Sequence, residues 1–397
     1  VKLLRARPER FGAIVATDEP PALVSVTRGL ARKLGVDGAA LWEQASPGLD
    51  LGVLTGPTEV HVSVTERCPA SCTGCYASAT PDGHEPTFAA LCARLDELAK
   101  LGAFSVAFGG GEAALREDLP ELAAHARSVG LAPTMTTSGL GMTTARAQQF
   151  RVFAQVNVSH DGVADVYRGV RGYDGARLAE AAIALLRDAG VPVGANTLLT
   201  RDNFAHVEET AAHVEALGCV ELQLLRLKPS GRGRVEYLAR RLDDAQIAAF
   251  GELLTRLSAQ RELSVRIDCA LLPFLAGSGR TTPEDVRAFG VMGCEAGRSL
   301  LAVRADGQPA PCSFWQSDVR VSATSTDVQY DDAWRDDATL DAFRAYQAAL
   351  PEPCAACDFR ASCRGGCRIV ASAGGASPWA PDPECPRVRA HLRPEPL

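Results

Sequence analysis

From residue 59 to about 260 the chain alternates short apolar runs with longer stretches whose apolar residues recur every three or four positions. The runs at 59–64, 104–108, 132–137, 154–159, 192–199 and 219–227 have strand length and strand composition. The stretches at 87–101, 118–130, 143–150, 175–189, 204–217 and 243–260 read as helices. In the fourth of these, Leu178, Ala182, Leu185, Leu186 and Ala189 share one face. Six strand–helix units in succession predict parallel strands joined by right-handed crossovers. Six are too few for a closed eight-stranded barrel, so the pattern predicts an open, partial barrel or a doubly wound sheet.

The flanks read differently. Residues 11–16 and 22–26 are two strand-like runs joined by a Pro-rich turn, and Thr27 caps a helix running to about Trp42 with an interruption near Gly35. After about 263 the alternation stops, and 294–397 is rich in Cys, Gly and Pro. A core of that composition needs metal staples. The division expected is a 1–55 N-terminal cap or partial peptide-recognition-like region, a 56–262 barrel, a 263–293 linker and a 294–397 Cys-rich domain. There is no internal repeat and no low-complexity segment.

Composition narrows the function classes. A net charge of −7 gives no electrostatic case for nucleic acid. No apolar run is long enough to span a membrane, and the basic N-terminus lacks an apolar signal core. Thirteen cysteines without a signal peptide argue for metal or redox use in the cytoplasm rather than disulfides.

The residue types that carry chemistry sit after strands. Cys68, Cys72 and Cys75 follow the first, Gly109-Gly110-Gly111-Glu112 the second and Thr137-Ser138-Gly139 the third. Ser159-His160-Asp161-Gly162 follows the fourth, and the cationic stretch Arg226 to Arg232 the sixth. This is the sheet edge where parallel α/β folds build sites. Three thiolates in a C-x3-C-x2-C loop fit one face of a cubic iron–sulfur cluster and leave one iron open. The competing reading is zinc, which wants a fourth ligand close by, and His61 and His84 are the nearby imidazoles.

That spacing, in that place, resembles the signature of the radical S-adenosylmethionine (radical SAM) family. The resemblance covers about 59–260 and implies a partial (β/α)6 barrel and a 4Fe–4S cluster on Cys68, Cys72 and Cys75. It also implies SAM on the open iron, cleaved by one electron to a 5′-deoxyadenosyl radical that abstracts a substrate hydrogen. An external donor of flavodoxin or ferredoxin type would supply the electron. Gly109, Gly110, Gly111 and Glu112 correspond to the family's SAM loop, and Ser159 to its ribose contact. Arg171 or Arg168 would meet the SAM carboxylate. The family's aromatic residue before the third cysteine is Gly74 here, so Tyr76 is the candidate for the adenine.

The second cysteine field is Cys294, Gly307 and Cys312, then Cys354, Cys357, Cys363 and Cys367, then Cys385. It resembles the seven-cysteine SPASM signature, which implies two auxiliary clusters, making three iron–sulfur clusters in all. By that resemblance Cys354, Cys357, Cys363 and Cys385 hold the outer cluster, and Cys294, Cys312 and Cys367 the inner one. The inner set is one ligand short. Cys269 could complete it from outside the motif, but an open or non-cysteine position is favoured. Cys92 and Cys219 read as small apolar residues.

SPASM-bearing relatives mostly modify ribosomally made precursor peptides, by cross-link, thioether, epimerisation or excision. The cationic stretch after the sixth strand is a candidate for an acidic peptide, against a solvated turn. Sulfatase-maturing relatives carry Asp after the second SPASM cysteine; Ser313 here counts against that activity. Ser313, Asp268 and Tyr237 are unranked candidates for proton transfer. A small-molecule dehydrogenase acting on an alcohol or sugar, and a non-catalytic electron-transfer or zinc module, are the other readings.

Overall fold

The computed structural model describes residues 2–19, 21–44, 53–259, 262–315 and 329–392. Residues 45–52 of the expected cap, the last residue of the expected 243–260 helix, and 316–328 and 393–397 of the expected C-terminal domain lie outside the described residues.

The six expected strands form: β4 (Glu59–Thr65), β5 (Ser105–Gly110), β6 (Ala132–Thr137), β7 (Gln155–Ser159), β8 (Val193–Leu199) and β9 (Glu221–Arg226) follow the cap strands β1 to β3. The sheet is wider than expected. β10 (Ser264–Ile267) pairs parallel to β9, and β11 (Leu300–Val303) pairs parallel to β4 and antiparallel to β12 (Pro309–Ala310). The order is β10-β9-β8-β7-β6-β5-β4-β11-β12, a partial barrel with helices outside. A four-residue strand and a two-residue strand leave little periodic signal in sequence, so the edges were not foreseen.

Two-residue alternation explains which side is which. On β4, Val60, Val62 and Val64 are buried under the helical layer, while His61 and Ser63 face the barrel interior. On β7, Val156 and Val158 pack outward, and Gln155 and Asn157 turn inward. On β9, Leu222 and Leu224 are in the core, and Gln223 lines the interior. The outer core is therefore apolar and continuous, and the inner wall is polar. Gln155 donates to Asn157 and Glu221, and Asn157 donates to Asn196.

The cap holds three strands where two were expected: β1 (Leu3–Glu9), β2 (Gly12–Thr17) and β3 (Ala22–Thr27), antiparallel in that order. Arginine interrupts the apolar pattern of β1, which leaves it no strand signal in the sequence. Those arginines dock the sheet on the barrel. Arg7 Nη1 donates to the carbonyls of Pro57 (2.7 Å) and Gly102 (2.9 Å), and Arg5 Nη1 to that of Ala103 (2.7 Å). Gly102 and Ala103 lie just past the helix Phe88–Lys100, where unsatisfied carbonyls favour cations. The helix after β3 is broken around Gly35, as expected, into Arg28–Lys33 and Ala39–Gln44.

Candidate functional site

The first cysteine loop is held by its backbone. Cys68 N donates to Thr80 O (2.8 Å), and Ser71 takes a left-handed φ of 51° so that the chain turns back on itself. The loop is pinned from the sixth unit by Arg232, which donates to Cys72 O (3.0 Å) and Ala79 O (2.7 Å). The glycine stretch runs directly against it. Gly111 N donates to Thr65 O (2.7 Å), and Glu112 N to Arg67 O (2.9 Å). A Cβ on Gly110 would stand 2.2 Å from Thr65 O, and one on Gly111 would stand 2.2 Å from Arg67 O. Those two glycines are there for contact with the cysteine loop. Gly109 is the one that leaves space, with only the Tyr76 hydroxyl near, at 3.7 Å.

The Glu112 carboxylate is buried and accepts from Thr137 Oγ1 (2.6 Å), from the Ser138 amide (2.8 Å) and from the Ser138 hydroxyl. The ends of the second and third strands are thus tied through one acid. Tyr76 turns toward the glycine strand, bonding at Gly110, and its ring meets Phe314 at 4.7 Å between centroids. Ser159 is buried at the end of β7. Between the two arginine candidates the structure separates clearly. Arg171 is ion-paired with buried Asp161, and its Nη1 lies 3.9 Å from Cys72 Sγ. Arg168 is exposed and paired with Asp165 on its own helix.

The second field gathers into two groups. Burial raises the Cys363 thiol pKa, and after it Cys385, Asp382 and Cys354 do the same. Burial pushes Cys354 up to about 11, followed by Cys385 and Cys357. Cys354, Cys357, Cys363 and Cys385 line one small cavity, with Arg387 Nη1 3.4 Å from Cys357 Sγ. In the other group, burial pushes Cys312 up to about 12, with Cys294 and Cys367 next. Cys269 is raised by burial, then by Asp268, Cys294 and Cys367. Cys269 therefore stands among the three cysteines of the inner set. No SPASM spacing points to it; only the turn after β10 brings it there.

These donor sets fit iron–sulfur clusters better than single zinc ions. Four thiolates on one zinc are about 3.8 Å apart, given Zn–S bonds of about 2.3 Å. Among the described residues, the only His, Cys, Asp or Glu trio with ligand atoms all within 4.8 Å of one another contains no cysteine. The thiols of each set are near neighbours, yet no three of them gather that tightly. Cys219 is buried in the core and Cys92 half-buried beside it, in keeping with an apolar role.

One expectation is corrected. The cationic stretch after β9 is neither a solvated turn nor a free anion site. Arg226 is buried and ion-paired with Asp382 (2.7 Å) and Glu384 (2.9 Å), and Lys228 is buried on Asp268. Arg226 neutralises buried carboxylates of the C-terminal region and Lys228 one just after β10. Of the proton-transfer candidates, Asp268 is engaged by Lys228 and Tyr237 donates to Glu384 (2.6 Å). Ser313 differs: its hydroxyl is 2.9 Å from His61 Nδ1, and His61 Nε2 is 3.2 Å from Glu59 Oε1. His61 was visible in sequence only as a spare imidazole. Its inward position on β4 is the signal that period-two reading would have supplied.

Inside the barrel is a cavity of about 1850 Å³. Its wall includes Gly109 and Gly110 on one side, Cys269 and Cys312 on the other, and His61 and Ser313 among them.

The family model described as the Radical SAM superfamily matches residues 62–214, and that of an iron–sulfur cluster-binding domain, SPASM, matches 294–358. Among curated relatives, a PqqA peptide cyclase of Ruegeria pomeroyi is 28% identical over 347 residues, spanning 84% of this chain and 88% of that protein. An AdoMet-dependent heme synthase of Nitratidesulfovibrio vulgaris is 27% identical over 343 residues, spanning 81% and 90%. Among solved structures, Streptococcus suis SuiB bound to precursor peptide SuiA superposes with a TM-score of 0.74 at 15% identity, covering 96% of this chain and 98% of that one. That likeness is one of fold.

Proposed function

Since the chain is a radical SAM enzyme with a C-terminal SPASM domain, we propose that it abstracts hydrogen from a ribosomally synthesised precursor peptide and installs a post-translational modification. The observation that carries this is the cavity, whose wall joins the glycine strand end to the inner cysteine set. At about 1850 Å³ it must hold SAM as well as the substrate, and the likeness to a peptide cyclase favours a peptide segment for the remaining space.

In this reading Cys68, Cys72 and Cys75 hold the 4Fe–4S cluster that works with SAM, and two auxiliary clusters bind the second field. Cys354, Cys357, Cys363 and Cys385 take the outer one. Cys294, Cys312 and Cys367 take the inner one with Cys269 as fourth ligand, in place of the open position favoured from sequence. When bound, these groups supply the deoxyadenosyl radical and an acceptor for the substrate electron. The chain's own residues do the rest. The Gly109 backbone receives the methionyl end of SAM with Glu112 bracing the strand ends behind it, Ser159 the ribose, and Tyr76 closes the space between SAM and Phe314. Arg171 lies beside Cys72, and its cation offsets thiolate charge. Loss of an electron from a substrate radical leaves a proton to be removed, and Ser313 with His61 and Glu59 forms a chain of groups able to accept it. A flavodoxin- or ferredoxin-type protein would deliver the electron. For the domain plan we keep a 1–55 cap, a 56–262 barrel, a 263–293 linker that contributes β10, and a 294–397 auxiliary-cluster domain.

The test is mass spectrometry of any short peptide encoded beside this chain, after anaerobic incubation with reconstituted enzyme, SAM and dithionite. A changed peptide mass, or deuterium uptake from heavy water in the case of epimerisation, is expected together with 5′-deoxyadenosine. The similarity to a heme synthase favours a second reading, a small-molecule substrate. Unaltered peptide alongside oxidation of an alcohol, sugar or tetrapyrrole would replace the first reading with that one.

A further inference from the structure

Behind the fourth strand end, on the helical side of the sheet, three ligand-type residues converge that no step above uses. His160 follows β7 and is fully buried. Its backbone is fixed, the amide donating to Asn196 O (2.9 Å) and the carbonyl accepting from Thr197 Oγ1 (2.7 Å). Its side chain is not satisfied: neither ring nitrogen has a hydrogen-bond partner. The nearest carboxylate oxygen, Glu180 Oε1, is 3.7 Å from His160 Nε2, beyond hydrogen-bond reach. Glu180 belongs to the helix Ala176–Asp188 and meets His213 Nε2 at 3.0 Å; His213 belongs to the helix Val207–Ala216. The His160 and His213 rings are 5.5 Å apart between centroids. One ligand atom from each of the three residues lies within 4.8 Å of the other two.

We propose that His160, Glu180 and His213 form a binding site for a borderline divalent transition ion such as zinc. Two imidazoles and a carboxylate are a common zinc donor set, and tetrahedral ligands at about 2.0–2.1 Å stand about 3.4 Å apart. The observed 3.7 and 3.0 Å separations from Glu180 bracket that spacing. A bound ion would satisfy a ring nitrogen that the protein leaves unpaired. Glu180 and His213 are partly exposed, so water can reach the fourth position. The site shares no ligand with the cysteine fields. An ion there would tie the Ser159–Asp161 segment to two outer helices, and Asp161 in turn holds Arg171 beside Cys72.

The test uses the full chain with its iron–sulfur clusters reconstituted, equilibrated with zinc and dialysed. Metal content and X-ray absorption at the zinc edge are then measured for the wild type, E180Q and H213A. Expected are about one zinc per chain in a nitrogen–oxygen shell, its loss in both variants, and unchanged iron content. Failure to retain zinc, sulfur in the zinc shell, or variants that retain zinc as the wild type does would each overturn the proposal. The two substitutions are at partly exposed helical positions, and unchanged iron content separates loss of zinc from loss of fold.

Discussion

At the scale of single residues, Cys269 and His61 stand out because neither belongs to a recognised spacing. Cys269 shares its surroundings with Cys294 and Cys367, and its thiol is buried beside Asp268. If it is the fourth inner ligand, C269A opens one iron to solvent or substrate. The expected outcome is an altered electron paramagnetic resonance signal for one auxiliary cluster, with reductive SAM cleavage in the absence of peptide retained. A wild-type spectrum and wild-type iron content in C269A would restore the open-site reading. His61 predicts a different signature. A general base of this kind contributes about 10²–10⁴-fold, so H61Q should lower modified peptide by roughly that factor while 5′-deoxyadenosine still forms. Equal loss of both products would show that His61 serves SAM binding instead. The motif cysteines were legible in sequence because their spacing is local. Cys269 was only a possibility there, since its place depends on how β10 lies against β9.

At the scale of elements, the alternation of runs placed the six central strands and their helices within a few residues. Period and length are properties of a segment alone. Part of what escaped depends on partners distant in sequence. β11 pairs with β4 across more than two hundred residues, Leu300 opposite Glu59, and carries the Cys294–Cys312 segment to the barrel's edge. Arg226 at the end of β9 reaches Asp382 and Glu384 in the same non-local way. Burial alone would raise the Asp382 carboxyl. The Arg226 guanidinium, with amides of Cys367 and Glu384, overcomes it and holds the group below the usual carboxylate range. Stability from such a group is present above its unfolded pKa of about 3.9 and is lost as pH falls through the folded value. Breaking a buried pair from one side costs about 3–5 kcal/mol. D382N should therefore lower stability at neutral pH by an amount of that order in denaturant titrations. It should also flatten the acid limb of the stability–pH curve. An unchanged midpoint at pH 7 would mean that the pair does not hold the C-terminal region to the barrel.

At the scale of the whole molecule, the barrel and the cysteine-rich region are stabilised by different physics. The barrel buries a continuous apolar core from Val60 to Leu275, which Leu301, Val303, Tyr330, Trp334 and Leu340 join, and which needs no metal. Around Cys354 to Cys385 the regular structure is two helices of four residues, Arg360–Cys363 and Arg368–Ala371, and a 3₁₀ turn at Ala373–Gly375, and the apolar cluster there is small. Burial raises the thiol pKa values of Cys354, Cys363 and Cys385, so without metal these are neutral groups. Binding energy for a cluster in such a region is folding energy. Full reconstitution should give about twelve irons per chain if all three clusters are 4Fe–4S. Stripping them with a chelator under oxidising conditions should then act locally. Limited proteolysis is expected to cut between 350 and 392 first, and amide exchange there to rise. The segment 59–260 should keep its protection and its helical circular dichroism. Loss of both regions together, in one transition, would mean that the inner cluster, seated where β10 and β11 flank the barrel, is a keystone of the barrel as well. A chain that holds only zinc after reconstitution would remove the redox reading altogether.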